Sequence, residues 1–174
     1  MRLPSARLII LGLTVGAVLP FAGSAHAVPM INDPQGFGGI TWGTTFKTLD
    51  DYALVESTTR IKGYELKSGP PPLGEAKIEM MRLLTIDGKF ARVIVRYQGD
   101  QTHKKVLAYL ETTYGPLDRT PGQLSVGTLT LHNWRGPETE INLSFDAKQE
   151  RGVIFFESRM LLPTFQDAIS DTVN

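Results

Sequence analysis

An α+β fold, with two helices packed on one face of a mainly antiparallel sheet, is what this sequence predicts, and three stretches carry the prediction. Residues 77–98 hold two long runs separated by Asp87-Gly88, the pair suited to a two-residue hairpin turn. Residues 101–114 place Val106, Leu107, Leu110 and Tyr114 at helical spacing, with Lys104, Lys105 and Glu111 elsewhere on the wheel. Leu129 and Leu131 then alternate with Thr130 and His132, and Ile141, Leu143 and Phe145 with Asn142 and Ser144. Val153-Ile154-Phe155-Phe156 is apolar on both faces, which predicts a central strand.

The chain opens on a targeting segment. Arg2 and Arg7 accompany an apolar run over residues 8–18, and Ala25-His26-Ala27 supplies an A-x-A cleavage site, so residues 1–27 read as a cleaved secretory signal peptide. The run is too short for a membrane span, and no stable insertion is expected after cleavage. Cleavage leaves 147 of the 174 residues, enough for one domain. Losing Arg2 and Arg7 lowers Lys+Arg from 18 to 16 against 18 Asp+Glu, a formal charge of −2 with the signs interspersed. That balance argues against nucleic acid as a partner. The chain has no cysteine, which excludes thiol catalysis, Cys-ligated metals and lipidation of a leader cysteine. The expected destination is periplasmic or extracellular.

In chain order, residues 28–35 carry Pro29, Asn32, Asp33 and Pro34 and read as a mobile mature terminus, with a single domain over 36–174. The glycine-rich stretch over residues 36–43 reads as a turn that buries Trp42 and launches a first helix at Thr44 or Thr45, with Phe46 and Leu49 on its inner side. Residues 52–55 and 60–66 read as short strands. Pro70-Pro71-Pro72 forces a loop, because successive prolines offer no amide hydrogen. Counting from Asp87-Gly88 pairs Thr85 with Phe90, Leu84 with Ala91, Met80 with Val95 and Glu79 with Arg96. On that register Ile78, Met80, Leu84, Ala91, Val93, Val95 and Tyr97 share the core face, and Arg82 there either reaches an edge or needs a partner. Asp100 is the expected N-cap of the second helix and Gly115-Pro116 its stop. Residues 117–126 read as a loop before the last strands, and residues 165–169 as a short terminal helix.

The order of turn, helix and hairpin occurs twice, which points to two pseudo-repeated helix-plus-hairpin units. Gly39-Ile40-Thr41-Trp42-Gly43, Asp87-Gly88-Lys89-Phe90, Tyr114-Gly115-Pro116 and Trp134 before a strand together resemble a group of small exported bacterial proteins of unknown function. The helix-then-hairpin order also resembles the repeats of β-lactamase-inhibitor proteins and of small outer-membrane assembly lipoproteins, although the lipid-bearing cysteine of the latter is missing here. These resemblances imply an exported α+β domain and supply no catalytic residue.

The chemistry-bearing residues are few. Gly43-Thr44-Thr45 lacks the lysine of a phosphate loop, and no buried strand precedes Gly36 as a dinucleotide fingerprint requires. His103 and His132 have no second histidine at helical or strand spacing, so neither a metal nor a cofactor is expected. Ser125 lacks the first glycine of a nucleophile elbow. Glu138 and Glu140 share a strand face, the minimum for carboxylate chemistry, but beside Gly136-Pro137 they read more simply as edge charges. Trp42, His132, Trp134, Glu138 and Glu140 are therefore the candidate site or interaction residues. The reading that follows is an exported, non-enzymatic binding protein with a partner in the cell envelope. The alternatives are a small carboxylate- or histidine-dependent hydrolase or lyase, and a secreted protein inhibitor.

Overall fold

The structure, a computed structural model, describes residues 30–46, 50–117 and 123–173. The expected signal peptide lies outside the described residues, as do the middle of the expected first helix at 47–49 and part of the loop at 118–122. A miniature hairpin, β1 (Gly36–Phe37) and β2 (Ile40–Thr41), precedes strands β3 (Tyr52–Ser57), β4 (Ile61–Leu66), β5 (Met80–Ile86) and β6 (Lys89–Gln98). Helix α1 (Asp100–Tyr114) leads to β7 (Gln123–Val126), β8 (Leu129–Arg135), β9 (Thr139–Asp146) and β10 (Arg151–Ser158), and α2 (Leu162–Val173) follows. The main sheet has eight strands in the order β3-β4-β5-β6-β10-β9-β8-β7, and every pair is antiparallel. The expected class, α+β built on an antiparallel sheet, is what the chain adopts. No described helix is long and apolar enough to cross a membrane.

The β5–β6 hairpin forms about Asp87 and Gly88, whose φ values of 49° and 78° suit a two-residue turn that follows the twist of the strands. Its register departs from simple counting after two pairs. Thr85 faces Phe90, but a bulge then sets Leu84 against Arg92, so that Met81 faces Val95 and Met80 faces Arg96. The extra residue, Ala91, flips the pairing. Met81 and Leu83 therefore join Phe90, Val93, Val95 and Tyr97 on the main core face, whereas Leu84 and Ala91 lie on the other. Arg82 also faces that second side, and it finds partners: Nε donates to Glu65 at 2.8 Å and Nη1 to Glu56 at 2.9 Å.

No helix begins at Thr44. The chain there runs extended along the tip of the β5–β6 hairpin: Gly43 N–H donates to the Phe90 carbonyl at 2.8 Å, and Phe90 N–H to the Thr44 carbonyl at 2.9 Å. Backbone pairing with an existing strand satisfies these groups without the cost of nucleating a short helix. The strand expected from Tyr52 does form, as β3.

Helix α1 is capped by Gly99 at φ 99°, not by Asp100, which lies in the first turn and pairs with Lys104 at 2.6 Å. Gly115 at φ 106° ends the helix and donates to the Glu111 carbonyl at 2.9 Å. Val106, Leu110 and Tyr114 pack into the main core with Trp134, Ile141, Leu143, Ile154 and Phe156. Phe165 and Ala168 of α2 pack with Ile61, Leu84, Ile86 and Ala91 on the reverse face. The two helices thus cover opposite faces rather than sharing one. Each half of the sheet is a four-stranded meander that precedes its helix, so the expected helix-plus-hairpin repeat does not organise the chain.

Two further differences lie near the C-terminal strands. Residues 123–126, expected as loop, form β7 at one edge of the sheet. In β8 the inward residues are His132 and Trp134, while Leu129 faces solvent at 37% exposure. Residues 30–35, expected as a mobile terminus, are tied down by several contacts. Ile31 N–H donates to the Tyr114 carbonyl at 3.0 Å, and the Asp33 carboxylate accepts from Glu138 N–H at 2.6 Å and Thr139 N–H at 3.0 Å.

Candidate functional site

The structure separates the five candidate residues into three environments. Trp42 is buried and stacks near Phe90 with ring centroids 4.7 Å apart, and its Nε1–H donates to Thr139 Oγ1 at 2.8 Å. Thr139 passes its own hydroxyl hydrogen to the Pro34 carbonyl, which links the opening turn to the start of β9. Gly38 and Gly39, at φ 58° and 80°, make the β1–β2 turn that delivers Trp42 inward. Trp134 is equally enclosed, and its Nε1–H donates to the Gly115 carbonyl at 2.9 Å. Both indoles are thus anchored in packing and satisfied, and neither lines an open cleft as a stacking platform would.

His132 is 5% exposed, and neither ring nitrogen has a hydrogen-bond partner. Burial, reinforced by His103, pushes its imidazole down to about 4, which keeps it neutral at physiological pH. Its neighbours are Trp134 and His103, each with ring centroids 6.2 Å away. His103 stacks on Phe145 at 3.8 Å and shares a hydrogen bond with the Tyr97 hydroxyl, 2.7 Å from Nδ1. Burial lowers the His103 imidazole and raises the Tyr97 phenol. The two histidines are brought near each other, but the carboxylates are not brought to them. Among the described residues, no three His, Cys, Asp or Glu side chains gather to hold a metal ion.

Glu138 is exposed ahead of β9, whereas Glu140 belongs to a polar row on the reverse face of the sheet. Asn133 Nδ2 donates to Glu140 Oε1 at 2.9 Å and to Asn142 Oδ1 at 2.7 Å. Asn142 Nδ2 donates in turn to Glu157 Oε2 at 3.2 Å, and Glu157 pairs with Arg92. The Arg92 guanidinium lies 4.0 Å from the centroid of the Phe165 ring of α2, so the row ends beneath that helix. The strand register explains the row: Asn133, Asn142 and Phe155 are successive partners across β8, β9 and β10.

Beyond the reach of α2, no described helix covers this reverse face over β7 to β10. Leu124 and Val126 of β7 are 57% and 62% exposed there, next to Leu129 and Leu131 of β8. Leu124, Leu129 and Leu131, with Phe155 and the asparagine pair, line a concavity of about 530 Å³. Sequence reasoning missed Leu124, Val126, Asn133 and Asn142. The signal that points to them is the absence of any charged residue over 120–134, although the strand it contains lies at a sheet edge. A second concavity of similar size lies between the β1–β2 turn, Pro71, Pro72 and α1. Neither a protein-family model, nor a curated protein, nor a solved structure matches the chain.

Proposed function

We propose that this is an exported, non-enzymatic binding protein of the bacterial cell envelope, and that its binding surface is the reverse face of the sheet over β7 to β10. One observation carries the reading: on this face Leu124, Val126 and Leu129 are exposed beside a concavity that no Lys, Arg, Asp or Glu lines, in a protein whose other sheet face is packed. Surfaces of this kind are costly to leave wet unless something covers them in use. The leader sequence supports export, and the opening motif supports kinship with small exported bacterial proteins. A hydrolase built on His132 has less support, because its imidazole is enclosed by packing, Glu140 is hydrogen-bonded to Asn133 and Glu138 is exposed. Nothing in the geometry favours a secreted inhibitor over other binding roles.

The test is position-specific photo-crosslinking in intact cells. A photoreactive residue at position 124 or 129 gives a discrete adduct, whereas one at position 105, on the outer side of α1, gives none. Equal adducts from all three positions, or none from 124 and 129, would falsify the assignment of the surface. N-terminal sequencing of the mature protein checks export independently: it begins at Val28, and an uncleaved chain retained in the cytoplasm defeats that part of the reading.

A further inference from the structure

We infer that the open half-sheet binds a neutral amphiphile, a small molecule whose secondary amide hydrogen-bonds Asn133 and Asn142 and whose aliphatic chain lies over the leucines of β7 and β8. The inference rests on the reading of this face as a binding surface and adds the chemistry of what it binds.

The orientation of the two asparagine amides follows from the carboxylates that flank them. An ionised carboxylate only accepts, so Asn133 presents Nδ2 to Glu140 and Asn142 presents Nδ2 to Glu157. The remaining contact, Asn133 Nδ2 to Asn142 Oδ1 at 2.7 Å, agrees with both assignments. Both Asn133 hydrogens are then used and its Oδ1 is left as an acceptor. One Asn142 N–H is left as a donor. Neither has a partner among the described residues, and both residues line the concavity. A ligand amide supplies the complement, an N–H for Asn133 and a carbonyl for Asn142. An ester supplies only the carbonyl and leaves the Asn133 acceptor unmatched.

The apolar part of the ligand follows from the rest of the lining. No Lys, Arg, Asp or Glu lines the concavity, and its apolar side chains on this face are Leu124, Leu129, Leu131 and Phe155, which favours an uncharged, aliphatic occupant. From the Asn133 position to the Leu129 position is four residues of strand, about 13 Å. An extended alkyl chain of roughly ten carbons covers that length.

Size argues against a second copy of the chain. Strands of 4, 7, 8 and 8 residues, at about 3.3 Å per residue and about 4.8 Å spacing, present roughly 430 Å² per copy, or about 850 Å² in a face-to-face pair. That is below the range of about 1,200–2,000 Å² of stable, specific interfaces. A concavity of about 530 Å³ is instead of small-molecule size. A partner strand added to β7 would use the edge backbone and leave the asparagine pair unengaged.

The experiment compares N-decylacetamide with decyl acetate, a pair differing in the amide N–H, by calorimetric titration of the purified mature protein. The native protein binds the amide about tenfold more tightly than the ester, the gain from one well-placed hydrogen bond. In Asn133→Leu the ratio falls to about one while the ester binds as before. In Leu124→Glu/Leu129→Glu, at positions exposed enough to tolerate charge, both probes weaken at least tenfold, with melting temperature as the control for folding. Equal affinity of the two probes for the native protein overturns the amide assignment. Binding unchanged in the double glutamate variant overturns the location. If neither probe binds while crosslinks from position 124 persist, the amphiphile is wrong and the binding surface stands. Concentration-dependent dimers abolished by Leu124→Glu make a second copy the occupant.

Discussion

Replacing His132 by leucine removes a buried imidazole whose two nitrogens have no partner, and the effect on stability has a definite pH dependence. Burial holds the folded-state value at about 4 against an ordinary 6.5. Between those values the unfolded chain takes up a proton that the folded protein refuses, so the native state loses stability as pH falls from 6.5 toward 4. At 1.36 kcal/mol per tenfold change in proton affinity, the loss is about 2 kcal/mol at pH 5 and about 3 kcal/mol once pH passes below 4. His132→Leu lacks that loss. At pH 8, where both states are neutral, the variant also gains about 1 kcal/mol or more by no longer burying unpaired polar atoms. Urea unfolding of both proteins at pH 8 and pH 5 measures the difference. His103, lowered in the same direction, and the carboxylates titrate in both proteins and cancel in the comparison. Parallel profiles, with the gap between the two proteins the same at pH 8 and pH 5, would refute the argument and mean that His132 is hydrated or partnered in solution.

Other expectations concern packing and the buried charges. A Cβ at position 152 would fall within the Tyr97 ring, so Gly152→Ala costs several kcal/mol and is read as a large fall in melting temperature; a drop of only a few degrees contradicts it. Glu157→Ala leaves the enclosed Arg92 guanidinium uncompensated and costs about 3–5 kcal/mol, whereas Arg92→Met/Glu157→Leu restores much of that loss in denaturant titration. Trp42→Phe keeps the stacking on Phe90 but removes the donor to Thr139, a loss of about 1–2 kcal/mol by thermal unfolding, and stability equal to native would show that this hydrogen bond is idle.

The features legible in the sequence were those set by local chemistry. Asp87-Gly88 announces its turn because few residue pairs accept two positive φ values in succession, and Val106, Leu110 and Tyr114 announce α1 by period. The bulge at Ala91 was not legible, since counting from a turn assumes one residue opposite one, and a single extra residue exchanges the faces of everything beyond it. The first helix was misplaced for a related reason. Thr44 and Phe46 have helix-start chemistry, but their backbone groups are taken by Phe90 and Gly88, distant in sequence. In β8 the alternation gives the period but not its sign, which runs against polarity: the two leucines face the open side, and His132, the polar residue, faces inward. The same inversion hid the candidate surface, because exposed leucines on an edge hairpin look like core until the strand is placed in its sheet.

The junction between β6 and β10 has a consequence for the order in which the chain assembles. Within each meander, successive strands meet through local connections, so their pairing closes short loops at small entropic cost. The pairs from Arg92–Glu157 to Gln98–Arg151 join segments more than fifty residues apart, with α1 and three strands between them. This seam therefore forms late, and until it does each half presents a raw strand edge, β6 on one side and β10 on the other. In a chain that folds from its N-terminus the β6 edge stands open before its mate exists, a template for pairing with other chains that only the arrival of β10 removes.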